Sequence, residues 1–108
     1  MTVTNRGIAL GNVSFKFKRG LTQKLTLQNP LDVLIDDKES IKVSPDTSVL
    51  TDVAEGSHTL KLWLMSQDKE MGVVNSKIDV HANNKYEVIY TYDTLSANGK
   101  VTVNVTAS

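Results

Sequence analysis

Between Val53 and Met65 the chain reads Val-Ala-Glu-Gly-Ser-His-Thr-Leu-Lys-Leu-Trp-Leu-Met, and this stretch restricts the fold more than any other. Leu60, Leu62 and Leu64 recur at every second residue, so on a pleated strand they share one face. Thr59, Lys61, Trp63 and Met65 take the other. Gly56 stands just ahead of the strand, where a turn calls for the positive φ that glycine adopts without steric penalty.

The same period of two runs through most of the chain. Val13, Phe15 and Phe17 alternate with Ser14, Lys16 and Lys18, and Arg19-Gly20 turns the strand. Lys24 to Gln28 reads as a second strand with Leu25 and Leu27 inward, forming a hairpin with the first. Asn29-Pro30 breaks it, because proline donates no ladder hydrogen bond. Val33 and Ile35 share a face, and Asp36-Asp37-Lys38-Glu39 is a turn of residues that tolerate the left-handed region. Ile41 and Val43 follow, then the turn Ser44-Pro45-Asp46 and a short strand from Val49 to Val53. Beyond the central strand, Gln67 to Gly72 reads as a polar loop. Val74, Ser76, Ile78 and Val80 alternate, and His81 to Asn84 turns. Tyr86, Val88, Tyr90 and Tyr92 then share a face. Asn98-Gly99 is a hairpin signal, and Val101, Val103 and Val105 end the pattern.

No window shows a period near 3.6. Eight or nine short strands with evenly spaced turns predict an all-β fold, an antiparallel β-sandwich, with an open β-barrel as the alternative. The 108 residues form one domain, 1–108, in which 1–11 is a loose arm or a first strand. There is no cysteine, so disulfides and thiolate metal sites are excluded and packing alone must hold the fold. Residues 1–12 lack the apolar region of a secretory signal, and nothing approaches the ~20 apolar residues of a membrane span. The sequence leaves the location open between the cytoplasm and, for a domain of a larger exported protein, the envelope.

Formal net charge is +0, yet unevenly distributed. Up to Leu31 the charged residues are Arg6, Lys16, Lys18, Arg19 and Lys24, which sum to +5; the remaining 7 basic and 12 acidic residues sum to −5. Such a split marks either an anionic partner or two regions that neutralise each other on folding, and the second is the simpler expectation.

Residues 31–80 resemble the PEGA domain, a small bacterial β module named for a Pro-Glu-Gly-Ala turn. Here that turn is Ala54-Glu55-Gly56-Ser57, followed by the alternating His58-Thr59-Leu60-Lys61-Leu62. Val33-Leu34-Ile35-Asp36-Asp37-Lys38 is similar to the family's strand and Asp-Gly-Lys turn, with Asp37 in the glycine position. The resemblance implies a sandwich-like, immunoglobulin-like module without catalytic residues, often attached to envelope proteins. It maps no binding site onto this chain.

Chemistry-bearing constellations are sparse. His58 and His81 would need carboxylates such as Asp52 or Glu55 to complete a zinc site, and no metal-ligand spacing is present. No nucleophile elbow accompanies the serines. Asp36, Asp37 and Glu39 read as a solvated turn, since the full calcium-loop signature is missing. In Phe15-Lys16-Phe17-Lys18 the aromatics and cations face opposite ways, which argues against a nucleic-acid stacking platform. Two glycosylation sequons, at Asn12 and Asn104, fall inside expected strands and are discounted.

Trp63 is the informative residue, a large apolar side chain on the face that Lys61 marks as wet. Either another part of the chain covers it, the simpler expectation, or Trp63 and Met65 form a patch for a partner. The sequence therefore predicts a non-catalytic structural or protein-interaction module, not an enzyme, with no cofactor. Its candidate contacts are Trp63 and Met65, or the basic strand with Lys16 and Lys18. A carbohydrate module stacking sugar on Trp63 and a nearby tyrosine is the alternative.

Overall fold

A computed structural model of the protein describes residues 9–107. Most of the residues expected to form a loose arm, 1–8, lie outside that range. The described elements are β1 (Leu10–Phe17), α1 (Gln23–Thr26), β2 (Leu31–Ile35), β3 (Glu39–Val43), β4 (Ser48–Ala54), β5 (Gly56–Ser66), β6 (Lys69–Val80), β7 (Asn84–Asp93) and β8 (Asn98–Ala107). They form two four-stranded sheets, ordered β4-β1-β7-β8 (sheet A) and β3-β2-β5-β6 (sheet B). The sheets pack face to face as a sandwich and do not close into a barrel. Neighbours are antiparallel except β1 and β7, which run parallel from Asn12↔Lys85 to Phe17↔Tyr90. The expected antiparallel β-sandwich is thus present with one parallel pair: β1 lies between β4 and β7 and is antiparallel only to β4.

The alternating stripes become the core. Val13, Phe15 and Phe17 of β1 and Tyr86, Val88 and Tyr90 of β7 face Leu31, Val33 and Ile35 of β2 and Leu60, Leu62 and Leu64 of β5, and all are buried. Removing each such side chain from water contributes roughly 1.5–3 kcal/mol. The Phe17 and Tyr90 rings meet edge to face with centroids 5.7 Å apart, the geometry that ring quadrupoles favour.

The chain changes sheet four times, twice at short corners. β4 ends in sheet A at Ala54 and β5 begins in sheet B at Gly56, with Glu55 alone between them. Gly56 takes φ +132°, a conformation that side-chain-bearing residues resist, as the sequence predicts. At the β6–β7 corner the Tyr86 hydroxyl accepts the His81 N–H at 2.7 Å, tying the start of β7 back to the turn, as tyrosine does at the corner of many sandwiches.

Three local expectations are corrected. Lys24 to Gln28 is not a strand. It contains most of α1, within the crossover from sheet A to sheet B, and Leu25 is 87% exposed while Leu27 is buried. Polar contacts hold this crossover. The buried Gln23 amide donates to the Tyr92 carbonyl and Thr94 hydroxyl and accepts the Gly20 N–H, and Arg19 donates to the Leu27 carbonyl at 2.7 Å. Gln67 to Gly72 is mostly strand, because Gln67 and Asp68, both at positive φ, make a two-residue turn between Ser66 and Lys69. Asn98-Gly99 lies within β8, and Thr94–Ala97 forms the loop, with Asp93 paired to Asn98.

Candidate functional site

The leucine stripe turns Trp63 outward. With Leu62 and Leu64 in the core, Trp63 sits on the outer face of sheet B, paired with Asp32 of β2. On its other side β6 carries a bulge: Leu62 pairs with Val74 but Leu64 pairs with Met71, leaving Gly72 and Val73 across from Trp63. Gly72 has φ +58°, the left-handed glycine that such bulges use. The Tyr90 hydroxyl donates to its carbonyl at 2.6 Å, pinning β6 to sheet A there. Burial raises the Tyr90 pKa, so this hydroxyl remains a donor.

Around Trp63 the outer face is part apolar and part ionic. Met65 is 38% exposed and Val73 42%. Lys61 lies over the indole, its ammonium 4.8 Å from the ring centroid, and it also pairs with Glu70 at 3.0 Å. A cation on an indole face is attracted by the ring quadrupole. Lys42 pairs with the buried Asp32 at 2.7 Å. Trp63 is thus half-buried, with Lys61 over one face of its ring, and its Nε1–H is buried without an acceptor. A shallow groove next to this patch is lined by Leu34, Thr59, Lys61, Asn75 and Lys77.

The other candidates lie elsewhere. Lys16 is on the outer face of sheet A, between Ser48 and Ile89, and Lys18 is exposed just past β1. They do not meet Trp63 and Met65, which belong to the other sheet. Arg19 of the basic block bridges to Asp46, with Nη2 at 2.9 Å and Nε at 3.1 Å. The Arg19 backbone N–H and then its guanidinium hold the Asp46 carboxyl below the usual range. This is one cross-link between the basic segment and the acidic remainder. Tyr86, Tyr90 and Tyr92 all point to the inner side of sheet A; Tyr90 reaches Gly72 from within the sandwich, so none shares the outer face of sheet B with Trp63.

The most organised polar group involves a histidine that the sequence presents only as a possible zinc ligand. His58 continues the leucine stripe by one step, and its side chain is 14% exposed. Its Nδ1 lies 2.5 Å from the Asp36 carboxylate and its Nε2 2.6 Å from the Ala54 carbonyl. Two acceptors on one ring favour the imidazolium, which donates from both nitrogens. The Asp36 bond is the main cause raising the His58 pKa, against burial, with the Ala54 carbonyl adding to it. The His58 bond first, and then the Thr59 N–H, lower the Asp36 pKa. Asp36 and Asp37, with φ of 53° and 57°, form the β2–β3 turn, so His58 joins that turn to the end of β4 in the opposite sheet. No hydroxyl is on the ring. Among the described residues no three His, Asp or Glu side chains converge as metal ligands.

No protein-family model matches the chain, and no curated protein matches it as a relative. No helix of the described residues is long and apolar enough to cross a membrane.

Proposed function

We propose that this domain is a non-catalytic interaction module, PEGA-like and from a bacterial protein, that engages a protein partner through the outer face of sheet B around Trp63 and Met65. The observation that carries the reading is a tryptophan, an exposed methionine and Val73 grouped on one side of a sheet, beside the charged Asp32, Lys61 and Glu70. Tryptophan and methionine are enriched at interfaces, and a few such residues supply most of a contact's energy. The Trp63 Nε1–H adds to the argument. A buried donor without an acceptor costs about 1–3 kcal/mol, and a partner carboxylate that draws the Lys61 ammonium off the ring offers that donor an acceptor.

Sugar stacking is less well supported, because Lys61 occupies one indole face and the tyrosines belong to the other sheet. As an envelope-attached module the domain would hold its partner without altering it; a cytoplasmic setting uses the same face.

Photo-crosslinking tests the reading, with the reactive group placed at Met65 or, for comparison, at Leu50, 70% exposed on the outer face of sheet A. A protein captured from Met65 alone, and lost on Trp63→Ala without change in the urea midpoint, is the expected result. Equal capture from both positions contradicts it, and Trp63-dependent binding on a glycan array moves the reading to carbohydrate.

A further inference from the structure

Among the described residues the sandwich has four edge strands, and three carry features that discourage pairing with another chain. β3 is five residues long and includes Glu39 and Lys42. β4 carries Asp52 on its outer side. β6 has Lys69, Glu70, Lys77 and Asp79, and is bent by the bulge opposite Trp63. Short length, charge and bulges are the usual protection of an exposed edge. β8 has less of it, although its start at Gly99 lies against the Gly72 carbonyl of β6. It is ten residues long, and its register against β7 is unbroken from Asn98 to Ala107. After Lys100 it reads Val-Thr-Val-Asn-Val-Thr, with no charge and no proline. Of its inward valines, Val101 packs in part against the core, whereas Val103 is 37% and Val105 57% exposed.

We propose that β8 is a self-docking edge, at which two copies of this chain pair β8 with β8, antiparallel across a twofold axis, and continue sheet A from one copy into the other. The side chains select this occupant. With the axis at Val103, Val103 meets its own counterpart, Val101 meets Val105, Thr102 meets Asn104, and Lys100 meets Thr106. Apolar residues oppose apolar ones on one face, polar residues oppose polar ones on the other, and the two lysines lie at opposite ends. Such cross-strand pairs are the unit of sheet stabilisation, and a twofold contact requires a self-complementary surface. A formal net charge of +0 leaves no overall repulsion between copies. An edge with a single lysine has no charge pattern with which to select an acidic or basic strand instead. One strand per copy makes a small contact, so the pairing is reversible.

Sedimentation equilibrium from micromolar to millimolar concentration tests this. The mass should rise from 11.9 kDa toward twice that value. Thr102→Lys with Asn104→Lys changes two exposed outer-face residues and sets like charges opposite each other across the axis, so this variant should remain monomeric with an unchanged circular dichroism spectrum. Mixing it with a Thr102→Glu, Asn104→Glu variant should restore a dimer of one copy of each. Leu95→Lys, in the β7–β8 loop where Leu95 is 99% exposed, should dimerise as the unaltered chain does. A chain that stays monomeric at millimolar concentration overturns the proposal, including one that instead takes up a foreign strand peptide at β8. So does a dimer that survives the double lysine variant.

Discussion

β5 and β8 carry the same signal, three apolar residues at every second position, and fare differently. Leu60, Leu62 and Leu64 are 3%, 0% and 0% exposed, whereas exposure along Val101, Val103 and Val105 rises to 57%. β5 is central, with β2 on one side and β6 on the other; β8 is hydrogen-bonded to β7 alone. Alternation specifies which face turns inward. It does not specify whether anything lies there to cover it. Strand order decides that, and strand order comes from contacts distant in the sequence.

Substitutions on the two stripes should separate the cases. Leu62→Ala is expected to cost about 2–5 kcal/mol, the range for a buried leucine whose cavity cannot fully collapse. Val105→Ala should cost roughly 0.5 kcal/mol or less, as exposed positions do. Urea midpoints at equal slope measure both, and equal losses would mean that β8 is covered as fully as β5.

The corner that starts β5 comes next in size. Gly56→Val should destabilise by about 1–3 kcal/mol, because valine resists its positive φ. A β-carbon there meets no atom within 4 Å, so the loss is a backbone effect rather than a clash. An unchanged midpoint would show that the corner relaxes without glycine.

A smaller effect, dependent on pH, belongs to His58 at the same end of β5. Its pKa is raised on folding, so its stabilisation is complete below the ordinary value of 6.5 and is lost as pH rises through the raised value. Asp36 is lowered on folding, so its share is present above 3.8 and is lost as pH falls through the lowered value. Both contribute fully between those two ordinary values. Melting temperatures should therefore fall as the pH climbs above 6.5, and His58→Gln should flatten that slope. A slope unchanged by the substitution would assign the pH dependence to another group.

The strands and their inward residues were largely legible, because hydrophobic period two is a local property. Tyr86, Val88 and Tyr90 are buried, as their spacing indicates. Leu25 and Leu27 misled because two leucines fit an alternation equally well in a crossover, where Arg19 and Gln23 set the path through hydrogen bonds, those of Gln23 reaching residues about seventy positions away. Asn98-Gly99 misled because the loop formed four residues earlier. At the candidate site the outward placement of Trp63 and Met65 was readable from the leucines. The Lys61 ammonium over the indole was not, nor was the pairing of His58 with Asp36, 22 residues apart. The one hint was a histidine in the next place on an apolar stripe.

Amide hydrogen exchange, compared along β5 and β8 at low and high protein concentration, tests the contrast most directly. β5 amides should be among the slowest at every concentration. Amides on the free side of β8 should exchange rapidly in dilute solution and slow as the concentration rises. β8 amides as protected as those of β5 in the most dilute sample would contradict it.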